Sequence, residues 1–363
     1  MLSNERIYNF SAGPSMLPLP VLQQAQQELL NCNRSGMSVM EMSHRSSSFD
    51  SIFQETKGRL RRVLNVPESH EILFLQGGAT TQFSMVPLNL MGETGRADYA
   101  LTGNFSTKAY EEAQKFGACT VAASSADENH TYIPQQEALQ LDPGAAYFHY
   151  CANNTIFGTE WQYVPDTGAV PLVCDMSSNI LSKPIDVGRY GLIYAGAQKN
   201  MAPAGVTVVI IHRDLVGHAL KNTHVMLDYA VHAKGDSMYN TPPCWCIYIL
   251  GLVLQWLESL GGLAEMEKIN TEKAAILYHY LDESKLFRGA AQPAARSRMN
   301  VTFRTADPAL DAQFAKEAAA AGLSNLKGHR LVGGMRASIY NAMPVEGVKA
   351  LRDFMAKFEK EHI

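Results

Sequence analysis

Lys199 is the only charged residue in the stretch "YAGAQKNMAPAG", Tyr194 to Gly205. Small apolar neighbours disfavour the ammonium form of a lysine, lower its pKa and leave an amine that is nucleophilic toward a carbonyl. They also leave room beside it for something flat and bulky. The ordinary alternative is a surface lysine whose stem lies on the core while its head reaches water. Residues elsewhere in the chain bear on the choice.

Pyridoxal phosphate (PLP) is a flat aldehyde that a lysine captures covalently, and it makes three further demands. Its ring nitrogen needs a carboxylate so that the ring remains an electron sink. Asp175 closes the apolar run "VPLVCD", 24 residues before Lys199. Neighbouring strands of an open α/β sheet present their carboxyl ends to one crevice, although Asp175 alone also reads as a helix N-cap before "MSSN". The phosphate needs backbone N–H donors. "QGGATTQF", Gln76 to Phe83, offers two glycines, small hydroxyl residues and a helix start, the chemistry of an anion cradle. The ring face needs a partner, and Phe105 in "LTGNFSTKAY" is available, although a single aromatic is more often core. The demands met together and in this order point to PLP more strongly than any one of them.

The elements that must hold these residues follow from periodicity. "EILFLQ" (71–76), "AAYFHYC" (145–151), "VPLVCD" (170–175), "GLIYAGA" (191–197) and "GVTVVII" (205–211) read as buried strands. Segments long enough for crossovers separate them, which predicts an α/β lobe around a mostly parallel sheet. "LPLPVLQQAQQELLN" spaces Val21, Leu22, Ala25 and Leu29 at a helical period behind a proline. From roughly residue 260 the pattern changes. "SRMNVTFRT" (297–305) and "GMRASIYNA" (334–342) read as strands, and "DAQFAKEAAAAGL" and "EGVKALRDFMAKFEK" as amphipathic helices. The second helix carries Val348, Leu351, Phe354, Met355 and Phe358 on one stripe. A smaller α+β domain is expected there.

A chain of 363 residues exceeds the usual span of one core. Its 46% apolar and 18% charged residues suit a globular protein. A net charge of −4 gives no signal for a polyanionic partner, so nucleic acid is not expected. The N-terminal residues lack the order of a signal peptide, and "GVTVVII" and "ILGLVL" are too short to span a bilayer, so no membrane partner is expected. The six cysteines are scattered and form no disulfide framework. Cys244 and Cys246 lack the second pair a metal would want. The expected compartment is the cytoplasm, with no metal.

"NFSAGP", "MSHRS" (42–46), "GGATTQF", "DMSSNILSKPID", "YAGAQKNMAPAG", "NTPP" (240–243), "KGHR" (327–330) and "GGMRASIYNA" follow one another along nearly the whole chain. In this order they resemble the phosphoserine aminotransferases, PLP enzymes of class V and fold type I. "AGAQKN", "GHR" and "GGMRASIYNA" are specific, whereas "GGATTQF" is generic for class V. The resemblance implies an aspartate aminotransferase-like α/β fold. Residues 16–260 would form a large PLP-binding domain with a mostly parallel sheet of the seven-stranded type. Residues 1–15 and 261–363 would form the small α+β domain.

The resemblance also implies roles. Lys199 would form the Schiff base and Asp175 would pair with the ring nitrogen. Ala79, Thr80 and Gln198 would bind the cofactor phosphate, together with Asn240 and Thr241 from the neighbouring subunit of a homodimer with shared sites. Thr155 would lie near the ring oxygen, and Phe105 would stack where tryptophan is common in the family. Arg336 would grip the substrate α-carboxylate. His44 with Arg45, and His329 with Arg330, would receive the distal phosphate or side-chain carboxylate. Ala12 stands where some members carry serine. Neither departure removes a group that does covalent chemistry. The implied reaction moves an amino group from glutamate to 3-phosphohydroxypyruvate, giving 2-oxoglutarate and phosphoserine by ping-pong kinetics in serine biosynthesis. A second candidate substrate is 4-phosphohydroxythreonine, in pyridoxine synthesis. Rival readings are another class V enzyme, such as a desulfurase or an alanine–glyoxylate type aminotransferase, and a catalytically silent PLP-binding protein. A desulfurase needs a mobile nucleophilic cysteine, and Cys244 and Cys246 lie in "TPPCWCIY", which reads as core.

Overall fold

Alternating side chains on buried strands build two faces of one sheet, because successive residues point to opposite sides. In the computed structural model, which describes residues 6–92 and 94–363, that sheet has seven strands. Their order is His70–Leu75, Thr207–His212, Leu192–Gly196, Leu172–Asp175, Phe148–Cys151, Arg96–Leu101 and Ala118–Ser124. On one face Phe74, Val208 and Ile210 pack with Phe49, Phe53, Leu250 and Leu254 from the helices Ser47–Val63 and Cys244–Ser259. On the other, Leu73, Val209 and Tyr194 pack with Phe83, Val86 and Ala109 from the helices Gly78–Leu90 and Asn104–Ala113. Each such fully buried large side chain contributes about 1.5–3 kcal/mol.

Thr207–His212 runs antiparallel to both of its neighbours, and the other strands share one direction. A crossover was expected before it. A parallel return needs a dozen or more residues, and the segment from Gly196 to Thr207 is too short, so the chain turns straight back. That turn carries Lys199. Two strands have no counterpart in the apolar pattern. Arg96–Leu101 buries Asp98, which accepts the N–H of Asp142 at 2.7 Å, and Ala118–Ser124 is a largely exposed edge strand. The expected N-terminal helix spans Leu19–Glu28 and buries Val21 and Ala25.

Further along, Arg288–Gly289, Asn300–Arg304 and Met335–Ser338 form an antiparallel sheet. The helices Pro308–Ala320 and Val345–His362 cover it, and Phe287, Phe314 and Phe358 meet in its core. The expected stripe buries Val348, Leu351, Met355 and Phe358, while Phe354 is partly buried. The chain start joins here, since Tyr8–Asn9 pairs in parallel with Leu323–Ser324. Residues 1–5, expected to belong to the same part, lie outside the described residues.

Helix Leu263–Glu283 ties the two cores together. Leu263 and Met266 pack with the large sheet, whereas Ala274, Leu277 and Leu281 pack with the small one. Lys273 on this helix is fully buried and donates to the carbonyls of Ile339, Tyr340 and Met343 at 2.9, 2.7 and 3.1 Å. These bonds fix the backbone just beyond the strand that carries Arg336. Among the described residues no single helix is long and apolar enough to cross a membrane.

Candidate active site

The carboxyl ends of parallel strands are where an α/β sheet exposes unpaired backbone and polar side chains. Here they open on a cavity of about 320 Å³. Asp175 is the last residue of its strand, with Cys151 as its register partner on one side and Tyr194 on the other. Lys199 follows the strand Leu192–Gly196, Phe105 opens the helix after Arg96–Leu101, and the Gly77–Gly78 turn follows His70–Leu75.

The lysine loop is held from two sides. Ser15 N–H donates to the Gln198 carbonyl at 2.9 Å, and its hydroxyl donates to the Lys199 carbonyl. A Cβ at Gly13, where φ is +143°, would lie 3.2 Å from Cγ of Lys199, so the "SAGPS" segment closes tightly over the side chain. Opposite, the Asn200 carboxamide oxygen accepts the N–H of Asn341 at 3.0 Å. Lys199 is therefore half-buried and lines the cavity. Burial holds its ammonium below the ordinary lysine range, and Asp175 opposes that effect. Its Nζ lies 5.3 Å from the centre of the Phe105 ring. Burial pushes the Asp175 carboxyl up, while Lys199 and the Ser177 N–H, which donates at 2.9 Å, pull it back.

The cradle forms where helix Gly78–Leu90 begins. Gly77 has φ +93°, and a Cβ there would come within 2.2 Å of Thr81 Oγ1. No side chain caps the first turn, so its N–H groups and the helix dipole are available to an anion. Gly78, Ala79 and Thr80 line the cavity at this end. At the opposite end stands Arg336, half-buried, with one Nη1 hydrogen bond to the Thr155 carbonyl at 3.0 Å. His329 lies near it. Burial, Arg336, Arg330 and Lys108 all hold the imidazole below its usual pKa.

Lys199, Asp175, Ala79, Thr80, Phe105, Thr155, Gln198, His329 and Arg336 thus line one cavity. Arg330 is exposed beside it. His44, Arg45, Asn240 and Thr241 are not among its lining residues. His44 is half-buried with Nε2 unpartnered, and Arg45 is exposed. Asn240 and Thr241 are exposed, and the Thr241 carbonyl accepts from Gln76 Nε2 at 3.0 Å. A single chain therefore does not bring the two His–Arg pairs into one pocket.

Sequence reasoning passed over Cys151, Asn153, Ser177 and Ser178, which also line the cavity. Cys151 was detectable as the strand end aligned with Asp175. Burial raises its thiol well above the usual range, so it is no thiolate. Cys244 and Cys246 are half-buried and lie outside the cavity. Both pack against the large core as partly buried residues, and full burial on that helix begins at Ile247. Among the described residues no three His, Cys, Asp or Glu side chains cluster as metal ligands.

A half-buried amine, a buried carboxylate at a strand end, an uncapped helix start and an aromatic face are the donor set a phosphorylated pyridine aldehyde requires. The aminotransferase class-V family pattern matches residues 7–351, and the chain belongs to this family of PLP-dependent aminotransferases. It is 54% identical over 358 residues to a phosphoserine aminotransferase of Bacillus cereus, and 55% identical over 360 residues to one of Acidithiobacillus ferrooxidans, each alignment covering 99% of both chains. The phosphoserine aminotransferase structure from Bacillus circulans subsp. alkalophilus superposes with a TM-score of 0.97 at 46% identity, covering 99% of this chain and 100% of that one. The PLP-bound enzyme of Trichomonas vaginalis gives 0.93 at 41% identity, over 97% and 100%.

Proposed function

We propose that this aminotransferase moves the amino group of glutamate to 3-phosphohydroxypyruvate, yielding 2-oxoglutarate and O-phosphoserine in serine biosynthesis. The observation that carries the reading is identity above one half over 99% of both chains to enzymes of that description. A coupled assay with phosphoserine and 2-oxoglutarate tests it. Glutamate should form at a rate that alanine with glyoxylate does not approach. Cysteine desulfuration, or no turnover by PLP-loaded protein, would point to the rival readings instead.

When bound, PLP supplies a ring that accepts the electron pair left at the substrate Cα. The uncapped start of helix Gly78–Leu90, with Ala79, Thr80 and Gln198, would hold its phosphate. Phe105 would cover the ring face, and Thr155 would lie at its edge. The Asp175 carboxylate would hold a proton at the ring nitrogen. Lys199 Nζ, whose charged form burial disfavours, is suited to take the proton from Cα and return it on the far side of the amino nitrogen, two bonds away. Arg336 would clamp the α-carboxylate with its two-pronged fork.

A substrate with a phosphate at its far end needs a second cation, and Arg330 would supply it, with the His329 imidazole beside it as a hydrogen-bond donor. His329→Ala or Arg330→Ala should weaken phosphoserine roughly 10- to 150-fold, since a charge-assisted contact is worth about 1.5–3 kcal/mol. Alanine-like substrates should lose far less. Arg336→Ala should hurt every amino acid. Equal losses for all substrates in both kinds of variant would rule out a two-ended pocket, with kcat/KM as the readout.

Separate apolar clusters among the described residues support two domains, proposed as 16–260 and as 1–15 with 261–363, although Leu263, Met266 and Ala295 pack in the large core. The exposure of Asn240 and Thr241, beside Tyr239 at 52% exposed, supports a homodimer in which this pair completes the other chain's phosphate site. His44 and Arg45, displaced from their own cavity, fit the same arrangement. Complementation tests it. Lys199→Ala spoils a chain's own site, and the Asn240→Ala/Thr241→Ala double variant spoils its partner's. After subunit exchange of the two inactive homodimers, half the dimers are mixed. One site in each then carries both lesions and the other none, so activity should recover to about a quarter of wild type. No recovery with exchange confirmed by mass spectrometry would place the pair in its own chain's site or in none.

A further inference from the structure

Behind Asp175 lies a polar pair that the chemistry above does not use. His149 and Tyr194 are completely buried between the sheet and the helices on one face. His149 Nε2 is 2.9 Å from the Tyr194 hydroxyl, whereas its Nδ1 is buried with no partner. The imidazole is sandwiched, 4.9 Å from the ring of Tyr99 and 5.9 Å from that of Tyr194, which it stacks at 25°. Tyr194 is also the register partner of Asp175 on the adjacent parallel strand.

We propose that His149 and Tyr194 are positioning residues, a relay in which His149 Nε2–H donates to the Tyr194 oxygen and Tyr194 aims its only hydroxyl proton at the Asp175 carboxylate. The direction follows from counting donors. Burial holds the imidazole near a pKa of about 3, so it carries one proton. Placed on Nδ1, that proton would be an orphaned buried donor, which proteins rarely tolerate. Placed on Nε2, it meets the phenol oxygen, and the phenol proton is then free for Asp175, the register partner of Tyr194 on the adjacent strand. Burial keeps the phenol protonated, so the donor persists at any working pH. An extra donor favours the ionised carboxylate. Asp175 would thereby stay charged in a site whose burial works against charge.

The relay rests on the PLP reading, because its benefit falls on the carboxylate opposite the cofactor's ring nitrogen. Two measurements separate the two ideas. The first is the tautomer of His149 by nitrogen-15 NMR of histidine-labelled wild type, with or without cofactor. A neutral ring protonated at Nε2 is expected, and an Nδ1–H tautomer would overturn the relay, since Nε2 would then consume the Tyr194 proton. The second uses Tyr194→Phe and His149→Phe loaded with ring-labelled PLP. Tyr194→Phe should move the ring-nitrogen signal toward the unprotonated position and lower kcat roughly tenfold with little change in the KM for glutamate. His149→Phe, which keeps a stacked ring, should shift both readouts less, and the double variant should be no worse than Tyr194→Phe. A folded Tyr194→Phe with unchanged signal and kcat would sink the relay. If that variant does not fold, the wild-type tautomer still decides. Wild type that binds no PLP would overturn the proposed function while leaving the tautomer measurable.

Discussion

Lys199→Ala should lower turnover by at least about 10⁴-fold, because one side chain is asked both to bond to the cofactor and to move the Cα proton. The loss is chemical rather than structural. The loop around position 199 is held through backbone atoms, with Ser15 donating to the carbonyls of Gln198 and Lys199 and Asn341 donating to the Asn200 side chain. None of these bonds uses the lysine side chain. The variant should therefore fold and still retain PLP through the helix start at Gly78–Thr80, without the visible absorbance of the lysine-bound cofactor. Borohydride reduction of wild type should leave the label on the peptide containing Lys199. Lys273 is a useful internal control, since it is fully buried but its side-chain nitrogen is engaged by the backbone carbonyls of Ile339, Tyr340, Asn341 and Met343. A label there, or on any other lysine, would remove Lys199 from its role.

How much of this was legible in the sequence depends on whether the signal was local. Lys199 and Asp175 were visible because each is a polar residue closing an apolar run, and a buried strand that ends in a charge points it at the sheet's open edge. The phosphate turn was visible because paired glycines between a strand and a helix have few other uses. Arg336 and His329 carry no such local mark. They reach the cavity only because the small antiparallel sheet docks on the large one, a long-range fact supplied here by resemblance. His149 and Tyr194 were hidden for the opposite reason. Inside "AAYFHYC" and "GLIYAGA" they look like ordinary members of buried strands, and only the register between strands makes them neighbours. The reversed strand Thr207–His212 was misjudged as one more crossover product, though loop length alone argued for a direct return. Arg96–Leu101 was missed because its buried Asp98 breaks the apolar run.

Asp175→Asn should keep the cofactor and lose the rate. Asparagine is nearly isosteric, and its side-chain oxygen can still accept the Ser177 N–H that now reaches Asp175 at 2.9 Å, so the local backbone should persist. What disappears is the negative charge that would hold a proton at the ring nitrogen. Removing one partner of a buried charge pair costs about 3–5 kcal/mol, so kcat should fall by about 10²–10⁴-fold, with a smaller change in substrate KM. Kinetics within about twofold of wild type would end the assignment. A second consequence runs the other way and tests the same charge without turnover. In the cofactor-free protein, burial raises the pKa of Asp175 above its unfolded value. The unfolded chain therefore ionises this group first as pH rises, and the folded state loses stability through that range. At neutral pH the apo variant, which has nothing to ionise at 175, should melt at least as high as apo wild type. Its advantage should shrink as pH falls toward 3.8, the ordinary value for this group. Loading PLP should reverse the order, because only wild type offers the ring nitrogen a counter-charge. A variant less stable than wild type in both forms would mean that Asp175 holds the fold together rather than the cofactor.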